Sequence, residues 1–281
     1  LVLTDGLANS GVVNRETLAI HAGELRQRGI VTSTFGVGAD FDERLLRDMA
    51  MEGGGNFYFI ENARQIPDLI TSELGEALEV VMPRAALTLT IPRGAEAEVM
   101  SRFTAQKLHG ESAIRIELGD LVSGQELNIV IKVKFPHGEI GNEATASATL
   151  GGDVALFEAE SRLTWRYANH SDNDEQPRDV TVDREVARVY AARARAEATE
   201  ANRFGDFEKA RSVLVRTSRR ISEYAGNDPV LTELSSQLRA EVHEYAEVRL
   251  DAMMLKTKFY AAEVAVRERG FDGKAKRRVP R

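Results

Sequence analysis

The hydrophobic period of this chain changes twice, and that double change constrains the fold more than any single motif. Up to residue 82, runs with the two-residue period of strands alternate with runs of helical period. From about 84 to 168 only the strand period recurs. From about 181 only the helical period remains. A chain of 281 residues has room for two or three modules, and the switches predict their order: α/β, then β, then α.

In the first segment, "LVLTD" reads as a short buried strand. "RETLAIHAGELRQRG" follows as a helix with Leu18, Ala22 and Leu25 on one face and Gly29 as its stop. "IVTSTFGVG" is a second strand. "ADFDERLLRDMAMEGGG" is a second helix, with Asp40 and Glu43 placed to form a capping box. "NFYFI" is a third strand. "QIPDLITSELGEALEVV" is a third helix, with Ile66, Leu69, Ile70, Leu74 and Leu78 inward and Pro67 in the first turn. Strand–helix alternation with short loops specifies a parallel sheet.

The second segment holds "AALTLTI", "AEVMSRFT", "AIRIEL", "ELNIVIKVKF", "ATASATL" and "LFEAESRLTWRY", separated by turns at "HGES", "SGQ", "PHGEIGN" and "GGD". Alternation puts Leu127, Ile129, Ile131, Val133 and Phe135 on one face. Roughly six or seven antiparallel strands of this size predict a β-sandwich. The third segment gives an alanine-rich helix over "VDREVARVYAARARAEATEANRFG" and an amphipathic partner over "DFEKARSVLVRTSRRISEYAG". A further helix is capped by Asp228-Pro229 and runs toward Glu268 with a break near 250. The expected domains are 1–82, 83–170 and 180–270, the last a helical hairpin packed on the sandwich. A basic tail, 271–281, is expected to be solvated.

Composition removes several function classes. The net charge of −7 argues against a nucleic-acid-binding body. The absence of cysteine removes disulfides and thiolate metal sites. No apolar run reaches membrane-spanning length, and no leader pattern opens the chain. A cytoplasmic location is favoured, with secretion left open. The five histidines are dispersed, without metalloprotease or triad spacing.

Asp5 is the candidate site residue. It stands at the carboxyl end of a strand, where α/β sheets gather ligands, and Thr4 and Gly6 flank it. A plain turn is the competing reading of Asp-Gly. Gly36-x-Gly38 lacks the third glycine of a dinucleotide site, whose place Phe41 takes, so both glycines read as a tight turn. "SDNDEQPRD" carries Asp172 and Asp174 two apart but has Pro177 where a calcium loop needs glycine, and reads as a linker. "ANRFGDFEKA" has the Gly205-Asp206-Phe207 turn of a tetratricopeptide repeat, but only one such unit is visible.

Residues 1–82 resemble the second half of a von Willebrand factor A (VWA) domain. The matching stretches are "LVLTDGLANSG", "GIVTSTFGVGADFDERLLRDMAMEGGGNFYFIENA" and "IPDLITSELGEAL". Bacterial members of that family continue into a β-sandwich and helices. The resemblance implies that Asp5 is the Thr-Asp-Gly element of a metal-ion-dependent adhesion site. The bound ion would be Mg²⁺, with Ca²⁺ or Mn²⁺ as substitutes, and its open position would take an Asp or Glu carboxylate of a protein partner. The family's Asp-x-Ser-x-Ser element occurs nowhere in this sequence, and its lone Thr precedes Thr-Asp-Gly. The resemblance therefore implies that the sequence opens inside such a domain, with an incomplete metal site. The expected function is non-enzymatic protein binding. The alternatives are a Rossmann-like Mg²⁺-dependent phosphohydrolase using Asp5, or a scaffold with a vestigial metal site.

Overall fold

A computed structural model describes residues 1–108, 112–152 and 159–277. The chain divides into two compact units. One comprises 1–75, 126–128 and 180–281, the other 76–125 and 129–179.

The first unit contains a parallel sheet in the order β1 (Val2–Thr4), β2 (Thr32–Val37), β3 (Gly54–Ile60). The helices α1 (Arg15–Gln27) and α2 (Glu43–Glu52) connect the strands, and α3 (Ile66–Leu78) follows β3. β2 is buried along almost its whole length, as expected for a central parallel strand covered on both faces. On one face Phe35 stacks on Tyr58 with ring centres 4.7 Å apart. Ile60 joins them, and Ile66, Leu69 and Ile70 of α3 pack against the group.

The other face of β3 presents Phe57 and Phe59. Phe41, Leu46 and Ala50 cover it, together with Phe259, Tyr260 and Val264 of α8 (Ala252–Val266). The C-terminal helices thus share a unit with residues 1–75. They do not form the separate domain expected over 180–270. The physical reason is the aromatic face of "NFYFI", which needs more apolar cover than Phe41, Leu46 and Ala50 supply.

Before α8 come α4 (His170–Asp174), which belongs to the second unit, and α5 (Val180–Arg203), α6 (Phe207–Ala225) and α7 (Pro229–Ala246) of the first. Ala187, Ala191, Ala194, Ala198 and Ala201 of α5 let α6 and α7 approach closely. They meet Val213, Leu214 and Ile221 of α6 and Leu231, Leu238 and Val242 of α7 in one core. The break expected near 250 lies between α7 and α8, and Asn202 makes it. This side chain is fully buried. Its amide donates to the carbonyls of Tyr245 (2.8 Å) and Val248 (2.7 Å), and its oxygen accepts from Leu250 N–H (3.0 Å). Three backbone groups that a broken helix would leave unpaired are satisfied by one residue.

The second unit is antiparallel throughout. β4 (Val80–Thr90), β6 (Thr104–Lys107), β7 (Ala113–Val122), β9 (Glu143–Gly151) and β10 (Ala159–Arg166) form a five-stranded sheet, order β10-β9-β4-β7-β6. β5 (Glu96–Val99) and β8 (Ile131–Lys134) form a two-stranded one. The Phe135 and Trp165 rings meet at 4.9 Å.

Several local expectations change. "AEVMSRFT" is two strands in different sheets. Met100 N–H donates to Val130 O and Ser101 Oγ accepts from Val130 N–H, which stops β5 there. "ELNIVIKVKF" is a strand only from Ile131; ahead of it Glu126 N–H donates to the carbonyl of Lys276 and Val130 N–H to Ser101 Oγ. The cap of α2 is Asp42, not Asp40: its carboxylate accepts from the amides of Arg44 and Leu45, which leaves Glu43 free to turn inward. Leu74 and Leu78 of α3 are exposed rather than inward. "SDNDEQPRD", expected as a linker, begins within α4. The start of the tail is folded, although most of its described residues stay exposed. Arg269 pairs with Ala275, Phe271 lies edge-on to Tyr260, and Lys276 bonds Glu268 at 2.7 Å. Residues 109–111 of the turn "HGES", the chain at 153–158 and the tail beyond 277 lie outside the described residues.

Candidate functional site

The carboxyl edge of the parallel sheet is formed where β1, β2 and β3 end. Thr4 pairs with Gly36 and Val37 with Ile60, so the three strands finish nearly level. Gly38 N–H then donates to the Ile60 carbonyl at 2.9 Å, turning the chain toward α2 with φ of 72°. That conformation suits glycine. Gly36 is required for a different reason. A Cβ there would intrude on the ring of Phe41, which is buried against the strand. Both glycines therefore have structural work, but only Gly38 serves the tight turn expected of the pair; Gly36 makes room for the Phe41 ring.

Asp5 follows β1 directly and is exposed. The turn around it is closed by its neighbour. Gly6 N–H donates to Thr4 Oγ1 at 3.2 Å, and the Thr4 hydroxyl donates to the Gly6 carbonyl at 3.1 Å. Among the described residues no hydrogen bond or ion pair uses the Asp5 carboxylate. Asp5 is thus not the residue that holds the loop. Thr4 is.

The donor set at this edge is small. Mg²⁺ takes about six oxygens, commonly a few protein ligands and several waters. Asp5 offers one carboxylate, and the Thr4 hydroxyl is engaged in its own turn. Among the described residues no three His, Asp or Glu side chains gather into a metal-holding group. The residues described do not complete a hard-cation site.

A buried charge cluster lies at the start of α2, in residues that sequence reading did not connect. Glu43 is buried, and its carboxylate accepts from Lys256 Nζ at 2.8 Å and from Arg203. Lys256 Nζ also donates to the Phe41 carbonyl at 2.6 Å and lies 4.2 Å from the centre of the Phe41 ring. Burial opposes ionisation of Glu43. The bond and charge of Lys256, with the charge of Arg203, outweigh it and hold the carboxyl below its ordinary value. Nearby, Arg44 of α2 pairs with Glu200 of α5.

A second cluster occupies the amino end of the strands. The Glu73 carboxylate accepts from Ser33, Tyr58 and Asn56, the last at 3.2 Å. Arg267 donates to the Gly55 carbonyl at 3.1 Å. Desolvation, reinforced by the charge of Arg269, pushes the Arg267 guanidinium down to about 10. The two clusters join residues from 15 to more than 200 positions apart, a separation that short-range periodicity does not register.

Comparison with known proteins follows this geometry. A structure described as von Willebrand factor type A from Catenulispora acidiphila superposes with a TM-score of 0.66 over 99% of the chain, at 18% identity. The fold is that of a VWA protein. The human COPII-coat protein Sec24c gives 0.52 over 94% of the chain at 13% identity. In sequence, 82 residues are 29% identical to the uncharacterized protein YfbK of Escherichia coli (strain K12), covering 29% of the chain. No family model matches. The chain spans 65% of the Catenulispora VWA structure, 39% of the Sec24c chain and 14% of YfbK. Among the described residues no helix is long and apolar enough to cross a membrane.

Proposed function

We propose that the chain is a non-catalytic protein-interaction module that receives an Asp or Glu carboxylate of a partner protein at the carboxyl edge of the β1–β2–β3 sheet. One observation carries the reading. Asp5 is exposed at that edge, and the turn that would otherwise explain it is closed by Thr4 and Gly6. The VWA fold, commonly a metal-dependent interaction module, supports the same assignment. In it Asp5 supplies one oxygen to a divalent cation, and water molecules and the partner's carboxylate fill other positions.

Mn²⁺ titration of the full chain, followed by amide NMR, tests this. A lone carboxylate replaces little of a reluctant ion's hydration, so binding is expected to be weak. Line broadening should centre on residues 4–6 and 37–38 and disappear in Asp5→Ala. Broadening spread evenly over surface carboxylates, or unchanged in the variant, would remove Asp5 from the reading. Asp5-dependent hydrolysis of p-nitrophenyl phosphate with Mg²⁺ would move the chain to the phosphohydrolase class instead.

A further inference from the structure

A basic seam runs between α5 and α6 on a chain that is acidic overall. α6 carries Lys209, Arg211, Arg216, Arg219 and Arg220 against only Glu208 and Glu223, whereas the whole chain has a net charge of −7. Helical spacing puts Lys209, Arg216 and Arg220 on one flank of α6. Two contacts show that this flank faces α5. Lys209 Nζ lies 3.7 Å from Glu197 Oε1, and the Arg220 guanidinium sits 4.9 Å from the centre of the Tyr190 ring. Arg216 lies between them and is exposed. On α5, exposed Arg193 lies between Tyr190 and Glu197. The seam therefore carries Arg216 and Arg220 beside one half-buried phenol ring, with Glu197 engaged by Lys209 at its end.

The contacts of Lys209 and Arg220 with α5 are surface contacts that contribute little to folding. The two helices hold together through Ala191, Ala194 and Ala198 against Ala210, Val213 and Leu214. Like charges one turn apart on a helix are slightly destabilising. The same guanidiniums are well suited to recognition, because each presents a planar fork of donors that matches a carboxylate.

We propose that the α5–α6 seam docks a short acidic segment of a partner protein, a run of Asp and Glu side chains. Residues 209 to 220 span about 16 Å of helix axis, the length of about five residues of extended chain. A nucleic acid is the weaker fit, since a longer polyanion would leave the seam and meet the acidic remainder of the protein. The seam is independent of Asp5 and of any cation.

The test uses the full chain and a fluorescein-labelled hexapeptide of alternating Glu and Asp, read by fluorescence anisotropy at low salt. Saturable binding that weakens as salt rises is expected. Reversing both charges in Arg216→Glu/Arg220→Glu should weaken it about tenfold or more, the equivalent of two exposed ion pairs. Arg219→Glu should leave affinity unchanged, because Arg219 lies on another flank and pairs with Glu223 at 3.3 Å. Arg216→Lys/Arg220→Lys keeps the charge and loses the fork, so intermediate affinity is expected, and circular dichroism verifies that each variant is folded. Absence of peptide binding overturns the proposal, as does equal affinity in the charge-reversed variant. Tighter binding of a six-nucleotide oligothymidine than of the peptide also overturns it, in favour of a nucleic acid.

Discussion

Glu43 and Lys256 form an ion pair at 2.8 Å with both side chains almost wholly buried, joining the first turn of α2 to α8 across more than 200 residues of sequence. Taking two charges out of water is costly, and a buried pair need not stabilise relative to an apolar one. Removing one partner is another matter. Lys256→Ala strands the Glu43 carboxylate beside Arg203 alone and frees the Phe41 carbonyl. A loss of about 3–5 kcal/mol is expected in urea denaturation. Lys256→Met, which restores apolar volume, should cost less when combined with Glu43→Gln.

The same pair sets an acid dependence. The folded-state pKa of Glu43 lies below its ordinary value, so the unfolded chain binds more protons in the window between the two. The pair's contribution is complete above the ordinary carboxylate range. It is lost as pH falls through that range toward the folded value. Thermal melts from pH 7 to pH 3 should show a steeper acid limb for wild type than for Glu43→Gln. Parallel limbs would mean that other carboxylates carry the acid sensitivity.

Asn202 tests whether the break between α7 and α8 is built or accidental. Asn202→Ala leaves two carbonyls and one N–H without their partner in a fully buried place. About 2–4 kcal/mol of stability should be lost. Asn202→Asp keeps the shape but sets an acceptor against the Tyr245 and Val248 carbonyls, and should be at least as damaging. Hydrogen exchange should show early opening at 247–251 in both variants.

Gly36 and Gly38 separate packing from backbone freedom. Gly36→Ala forces a methyl against the buried Phe41 ring, and overpacking of that kind costs about 1–3 kcal/mol. Gly38→Ala meets no atom, yet its φ of 72° is unfavourable for a side chain, so about 1 kcal/mol is expected. A double variant Gly36→Ala/Phe41→Leu should recover part of the first loss. Chemical denaturation of the three variants measures all of this.

The elements that were legible in the sequence are those whose signal is local. β1 to β3, the first two helices and the glycine stops follow from periodicity and turn chemistry, and Thr4–Asp5–Gly6 does lie at a strand's carboxyl end. What periodicity could not show is what covers each face. "NFYFI" is apolar on both sides, which says that it is buried and not that α8 buries it. Leu74 and Leu78 keep helical spacing although they are exposed, because spacing records a face and not its neighbour. Asp40 looked like the cap because it stands three residues before Glu43, but Glu43 belongs to Lys256 and Arg203. The lone Asn202 carried no sequence pattern at all, since its partners are fixed by tertiary contact.

That division between local signal and distant cover yields the last prediction. Phe57, Phe59 and Phe41 are covered by Phe259, Tyr260 and Val264 of α8, with Tyr260 1% exposed and edge-on to Phe57 at 5.7 Å. A polypeptide of residues 1–79 would present this aromatic face to water. Each large side chain left uncovered forgoes roughly 1.5–3 kcal/mol of burial, which for three rings approaches the whole stability of a small domain. Residues 1–79 alone should therefore lack a cooperative thermal transition and bind the dye ANS. Adding residues 180–277 as a separate polypeptide should restore the transition and displace the dye, because the cover is non-covalent. Tyr260→Ala in the added piece should weaken that rescue, whereas Arg219→Glu should not. A sharp, dye-free melt of residues 1–79 by themselves would show that the sheet does not need α8.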